Sequence, residues 1–463
     1  MVSRLCSKAS RSISSAGVST SSSRMPGSAG GACSMVHPFT QSRHDAAMFP
    51  SDPDVLVIGA GCAGIAAARE LAARGRSCIV LEAGPRVGGR AWTESASLGL
   101  PFDHGASWLH QAHDNPLRPL AAALGLETLD HDSVRERRIL LHGRQATREE
   151  RAAFAAADDA FWAVIDAAAR DGMPDRPASK AAPRGGPWNP TVAHWEGSQI
   201  CAAELSLMSL HDFAATALDG PNLILRQGIG GLVARLADGL PIRLDAPVAR
   251  LHWGAREITA EGPFGSLAAR AAIVTVSTGV LAAEGIAFDP PLPAETQDAI
   301  HALPLGLLTK IAFRADSPDA PDLPPFVTQH RAVEHDGDSP MSWVSRLFGD
   351  PLMIAFCGGA RAWSFAGDPR RAEAEARAEA TKLFGARAAA ALGPVTVTRW
   401  AEDPLFHGAY SHAVPGARAA RTTLGRPLAD GRLCFAGEAC HPRFAATVAG
   451  AWLSGVEAAR AVP

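Results

Sequence analysis

The chain is short of tyrosine: among 463 residues there is one, Tyr410, beside 17 phenylalanines and 10 tryptophans. A lone phenol in so long a chain is worth locating. Paired cysteines are missing too. Cys6, Cys33, Cys62, Cys78, Cys201, Cys357, Cys434 and Cys440 are scattered with no C-x-x-C spacing. A disulfide framework is therefore not expected, and reduced thiols of a cytoplasmic protein are. No apolar run reaches the roughly eighteen residues that cross a bilayer, so we expect a soluble chain without a membrane span. Neither sign of charge dominates, since 44 Lys and Arg face 47 Asp and Glu. That balance gives no pull toward nucleic acid or an anionic membrane. His104, His407, His412 and His441 lack metal-ligand spacing, and no metal is expected.

What is present is apolar bulk, 47% of the residues, enough for two or three domains. The densest information lies in Asp54 to Thr93. Val55 to Ile58 form an unbroken apolar run, as a parallel strand covered on both faces requires. Gly59, Gly61 and Gly64 follow at G-x-G-x-x-G spacing, with Cys62 and Ala63 inside the turn, and Ile65 to Ala73 read as a helix. The glycines allow a tight turn, close backbone approach to a pyrophosphate, and close packing of helix on strand. A second apolar run, Cys78 to Leu81, ends in Glu82, which can accept hydrogen bonds from the adenosine ribose. Strand, turn, helix, strand and acid in register point to a bound dinucleotide. Val87-Gly88-Gly89-Arg90 shifts the choice from nicotinamide to flavin.

These residues resemble the flavin-containing amine oxidases, whose E-A-x-x-R-x-G-G-R segment is matched by Glu82, Ala83, Arg86, Gly88, Gly89 and Arg90. Gly84 departs from the arginine or serine often found there. The resemblance covers roughly 51 to 461. It implies an α/β fold: a Rossmann-type FAD-binding domain assembled from split segments, plus a mixed α+β substrate-binding domain. The FAD-binding domain would take 51–110, 225–289 and 432–463, and the substrate-binding domain 111–224 and 290–431. Residues 1–50, rich in Ser, Gly and Ala and without an acid before Asp45, resemble an organellar transit peptide. A disordered tail, or a true start at Met35 or Met48, is the alternative. Glu149 to Arg170 read as a helix with Phe154, Phe161, Ile165 and Ala168 on one face. Residues 171 to 194 and Asp319 to Pro325 read as loops, and Arg370 to Phe384 as a charged, solvated helix.

The resemblance also assigns roles. Val248 would pair its backbone with adenine. Gly437 and Glu438 would meet the ribityl and phosphate region of FAD. Thr447 and Val448 would open a helix aimed at the pyrimidine edge, where reduction leaves negative charge. Gly105, Ala106, Ser107 and Trp108 would pass close to the flavin, with His110 facing the substrate. Lys310, a lysine inside an apolar strand, would hold a water against flavin N5; otherwise it ends an edge strand and reaches solvent. Trp400 and Tyr410 match a W-x-x-D-P-x-x-x-G-x-Y-S segment that lines the amine side, with Thr447 where a second aromatic wall can stand. Ala409 replaces the cysteine that some relatives use to attach FAD, so non-covalent FAD is expected.

The expected activity is oxidation of a primary or secondary amine, a polyamine or monoamine, to an imine and then an aldehyde. Dioxygen would leave as hydrogen peroxide, so the amine and dioxygen are the expected partners. Three other readings share the flavin fingerprint. An L-amino-acid oxidase or tryptophan-monooxygenase-like enzyme would need an arginine clamp for the substrate carboxylate. A carotenoid or protoporphyrinogen desaturase would not require Lys310 and Tyr410 together. A non-enzymatic flavin-bearing interaction protein would call for an added recognition domain.

Overall fold

The run Val55–Ile58 forms a strand whose four residues are all buried. Its side chains alternate between two cores. Val55 and Val57 pack with the helices Cys62–Ala73, Gly228–Leu236 and Val448–Ala461, while Leu56 and Ile58 face Leu251, Ile258 and Ala260 of a second sheet. Burial on both faces is why the run has no polar alternation. The structure, a computed structural model, describes residues 52–170, 172–254 and 256–463; the targeting-like reading of residues 1–50 lies outside them.

Val55–Ile58 is the centre of a five-stranded parallel sheet. The order is Leu433–Phe435, Ala271–Val274, Val55–Ile58, Cys78–Leu81 and Ile242–Arg243. Paired strands thus come from chain segments as much as 216 residues apart, and the carboxyl ends of the strands open on one crevice. The helix Cys62–Ala73 begins at the glycine turn itself, three residues earlier than its apolar pattern suggests.

A seven-stranded sheet forms the other half of the molecule. Its order is Val395–Val397, Leu308–Arg314, Leu352–Gly358, Ser342–Ser345, Val327–Arg331, Glu136–Leu141 and Arg144–Gln145. One face, with Ile311, Phe313, Trp343 and Met353, packs beneath the helix Pro369–Phe384. That helix is not simply solvated, which corrects the sequence reading. Ala372, Ala376, Ala380 and Leu383 lie buried along one stripe, and Glu379, 1% exposed, pairs with Arg331. The alanine stripe was masked by the charges between its members.

The opposite face of this sheet presents Lys310, Phe356, Ser342 and Thr328 toward the crevice. The helix Arg148–Ala168, opened by a Thr147–Glu150 capping box, buries Phe154, Phe161 and Ile165, with Ala168 packed at the margin. Residues 171–194 are not all loop. Asn189–His194 is helical, with Pro190 at its first turn where no N–H is needed, and runs into a π-helix, Trp195–Gln199.

Candidate active site

One cavity of about 420 Å³ lies between the two large sheets. Every site residue expected from the sequence lines it except Gly64. Gly64 works from beneath: a Cβ there would overlap the Gly59 carbonyl oxygen, so the helix could not sit so close to the strand. Gly61 is the converse case, since a Cβ there would meet nothing within 4 Å and would project into open space. The N-terminal N–H groups of Cys62–Ala73 surround that gap, which suits a pyrophosphate. Cys62 is a packing residue, its thiol donating to Val448 O at 3.4 Å and pushed up by burial to about 12.

Glu82 fastens the turn. Its carboxylate accepts from Ala60 N at 2.6 Å and from Gly84 N at 2.8 Å, leaving further lone pairs for a ribose. Burial raises its pKa against those bonds. Gly88 N donates to Ala60 O at 2.8 Å, tying Gly88-Gly89 to the same turn. Arg90 reaches Ala409 O at 2.7 Å and Glu438 at 2.9 Å. Glu438 also accepts from Ser411 Oγ and from Ala446 N, at 2.7 and 3.0 Å. Burial alone would push its pKa up, but Arg90, Arg421 and these hydrogen bonds hold it down. Glu438 is therefore a buried, charged joint between the first and last segments of the chain. Thr447 caps the helix Val448–Ala461: its hydroxyl accepts from Gly450 N and donates to Phe444 O. Its single donor is thereby spent, so toward the cavity Thr447 has only a methyl and an accepting lone pair to offer.

The residues on the opposite side carry polar tips into an aromatic enclosure. Lys310 lies in an interior strand and is 3% exposed, which excludes the edge-strand alternative. Its ammonium donates to Asp103 O, Gly105 O and Ser107 Oγ. Burial pulls its pKa down to about 8, the Asp103 carboxylate opposing the shift. The Tyr410 hydroxyl donates to Ile200 O at 2.8 Å, at the end of the π-helix. Trp400 donates from Nε1 to His104 O and meets Phe406 edge to face, 5.1 Å between centroids.

His110 belongs to a relay invisible in the sequence. Its Nδ1 lies 2.6 Å from Asn222 Oδ1, and Asn222 Nδ2 donates to Asp132 Oδ2 at 2.7 Å. A carboxylate can only accept, so the amide turns its NH₂ to Asp132 and its oxygen to His110. The proton therefore sits on Nδ1 and the Nε2 lone pair stays available. Burial lowers the His110 pKa to about 4, keeping the ring neutral. A second unforeseen pair is Arg421 and Asp212, joined through two bonds of 2.6 and 2.9 Å, both buried. Arg421 also donates to Ser411 Oγ, which in turn donates to Glu438.

This geometry pairs a dinucleotide cradle with an aromatic chamber holding one buried lysine. The family model for flavin containing amine oxidoreductase matches residues 62–463. The chain belongs to that family. This oxidoreductase acts on amines and uses a flavin, which the glycine turn and Glu82 identify as the adenine dinucleotide, FAD. It is 30% identical to Polyamine oxidase 4 of Oryza sativa subsp. japonica, with 88% of each chain covered. It is 27% identical to Lysine-specific histone demethylase 2 of Homo sapiens, covering 90% of this chain but 54% of that protein's length. A solved putrescine oxidase bound to putrescine shares the fold, with TM-score 0.73 at 20% identity, covering 88% of this oxidoreductase and 98% of that chain. Among its described residues no helix is long and apolar enough to cross a membrane.

Proposed function

We propose that the protein is an oxidase of a primary or secondary amine, a polyamine or monoamine, that carries no carboxylate beside its nitrogen. The amine becomes an imine, water hydrolyses the imine to an aldehyde and a released amine or ammonia, and dioxygen leaves as hydrogen peroxide. The observation that carries this reading is the pairing of the cavity's arginines. Arg90 is bound to Glu438, Arg135 lies 3.3 Å from Asp132, and Arg421 grips Asp212. None offers the open two-pronged clamp that an amino-acid carboxylate needs.

The residues fit FAD. Gly61 and the helix beginning at Cys62 would hold the pyrophosphate, Glu82 the ribose, and Val248 the adenine. Arg90 with Glu438 would sit along the ribityl chain, and the amino end of Val448–Ala461 at the pyrimidine edge. Ala409 supplies no thiol, so the cofactor would be held without a covalent bond. When bound, FAD supplies the acceptor for a hydride equivalent and the route from it to dioxygen. The chain supplies orientation and desolvation. Tyr410 and Trp400 flank a neutral amine, keeping its lone pair available, and His110 Nε2 accepts an N–H from the substrate.

The test is the purified protein's visible spectrum, followed by a peroxide assay over polyamines, aromatic monoamines and L-amino acids. Peroxide with amines is expected. Turnover of L-amino acids alone would replace this reading with the amino-acid oxidase. Lys310→Met is expected to slow flavin reduction or its reoxidation, and unchanged rates of both would remove the lysine from the mechanism.

A further inference from the structure

A lysine ammonium has three N–H donors and no lone pair. At Lys310 all three are engaged, with Asp103 O at 2.7 Å, Gly105 O at 2.6 Å and Ser107 Oγ at 2.6 Å. Aromatic rings crowd the same nitrogen: the centroids of Phe356, Phe102 and Trp108 lie 5.5, 5.8 and 6.0 Å from Nζ. The ammonium thus has no donor left for the cavity. The serine has one. A hydroxyl carries a single donor besides its lone pairs, and Ser107 Oγ accepts from Lys310 while its own hydrogen meets no acceptor among the described residues. Ser107 is 9% exposed and lines the cavity beside Gly105 and Trp108.

We propose that Ser107, rather than Lys310, is the group that donates a hydrogen bond to the reacting edge of the flavin, with Lys310 the positioning residue that orients and polarises its hydroxyl. The proposal rests on the cofactor placement argued above. A lone pair aimed at an ammonium turns the O–H away from it, toward open space, and the adjacent positive charge strengthens the bond that O–H donates. The ionisable groups facing the ammonium are the Asp103 carboxyl and the His104 ring, the latter bonded to Glu94 at 2.8 Å. Loss of the lysine proton would free the hydroxyl to rotate and donate back to Nζ.

The experiment compares the wild-type holoenzyme with Ser107→Ala, Ser107→Thr, Lys310→Met and the double variant Ser107→Ala/Lys310→Met. One readout is reoxidation of the reduced bound flavin by dioxygen; the other is the visible spectrum of the oxidised bound flavin from pH 6 to 10. Loss of one hydrogen bond to a developing charge predicts that Ser107→Ala slows reoxidation about tenfold to a hundredfold. The double variant should be no slower than Lys310→Met, and Ser107→Thr, which keeps the hydroxyl, should recover most of the rate lost in Ser107→Ala. The spectrum should shift with a midpoint near 8 in wild type and Ser107→Thr, following Lys310, shift less in Ser107→Ala, where the hydroxyl no longer relays the change, and stay constant in the two variants without the lysine. Ser107→Ala with wild-type reoxidation and titration, beside an impaired Lys310→Met, overturns the serine's role. So does multiplication of the two single effects in the double variant. If Lys310→Met is also indistinguishable from wild type, the cofactor placement itself has failed.

Discussion

The two walls of the cavity are built by different physics. The nucleotide wall is mostly backbone: a turn emptied of side chains at Gly61, the amino end of a helix, and Glu82 accepting two amide bonds. The parts that would meet the pyrophosphate and the ribose lie between Gly59 and Arg90, while Val248, Glu438 and Val448 join them from far along the chain. The amine wall is made of side chains that hold one another across the chain. His110 and Asn222 are 112 positions apart, Asn222 and Asp132 90, Tyr410 and Ile200 210, and Arg421 and Asp212 209. A cofactor common to many chemistries can be held by geometry that a short motif encodes. A chamber that chooses among amines must place particular side chains, and only tertiary structure does that.

If the nucleotide wall works by empty space, filling it should abolish cofactor retention and little else. Gly61→Leu adds bulk where no protein atom lies within 4 Å, so the fold should survive while the pyrophosphate is displaced. The expected result is a colourless protein with the wild-type circular dichroism spectrum, binding added FAD at least about a hundredfold more weakly. Yellow protein in normal yield would break the contrast. The amine wall should fail in another way. Asp212→Ala leaves the Arg421 guanidinium buried without its carboxylate, a change that costs about 3–5 kcal/mol. Denaturant unfolding should register the loss, and Asp212→Asn, which keeps an acceptor, should recover part of it.

The same contrast explains what could be read from the sequence. The strand, the glycine turn, Glu82 and Gly88-Gly89-Arg90 are contiguous, so spacing alone assembled them. Lys310 was conspicuous as a charge inside an apolar run, and Tyr410 as the only phenol. Asn222 follows Asp219-Gly220-Pro221 and reads as part of a turn. Asp132 reads as the solvated start of a helix, and Arg421, among alanines and Arg418, as surface. Each becomes functional only through a partner far along the chain. The loop read over 171–194 failed for a related reason. Its Pro- and Gly-rich composition hid a helix whose Thr191 and Val192 are buried, Val192 in one cluster with Ile139 of the seven-stranded sheet and with Phe154 and Phe161.

The relay behind His110 offers a finer cut, since it sets a tautomer rather than a shape. Asn222→Ala removes the acceptor that holds Nδ1–H, freeing the ring to expose either nitrogen. Loss of one oriented substrate bond corresponds to about a tenfold rise in KM, with kcat much less affected. A drop in kcat at constant KM would instead assign His110 to the chemical step.

The smallest effect is one of pH. With its pKa held near 4 by burial, His110 stays neutral from pH 5 upward, so its titration should leave the KM for a substrate free of inflection there. Asn222→Asp changes the sign of the argument. The new carboxyl and Asp132 must share one proton; with that proton on Asp132, whose pKa burial already raises, the carboxylate facing Nδ1 stabilises the imidazolium and raises the His110 pKa. Below that new pKa both ring nitrogens carry protons, Nε2 can no longer accept from the amine, and KM should rise as pH falls. The measurement is KM from pH 5 to 9 in both proteins, referred to the concentration of unprotonated amine so that the substrate's own titration drops out. A flat profile in the variant would mean that Nε2 never contacts the amine, leaving His110 part of the chamber's packing.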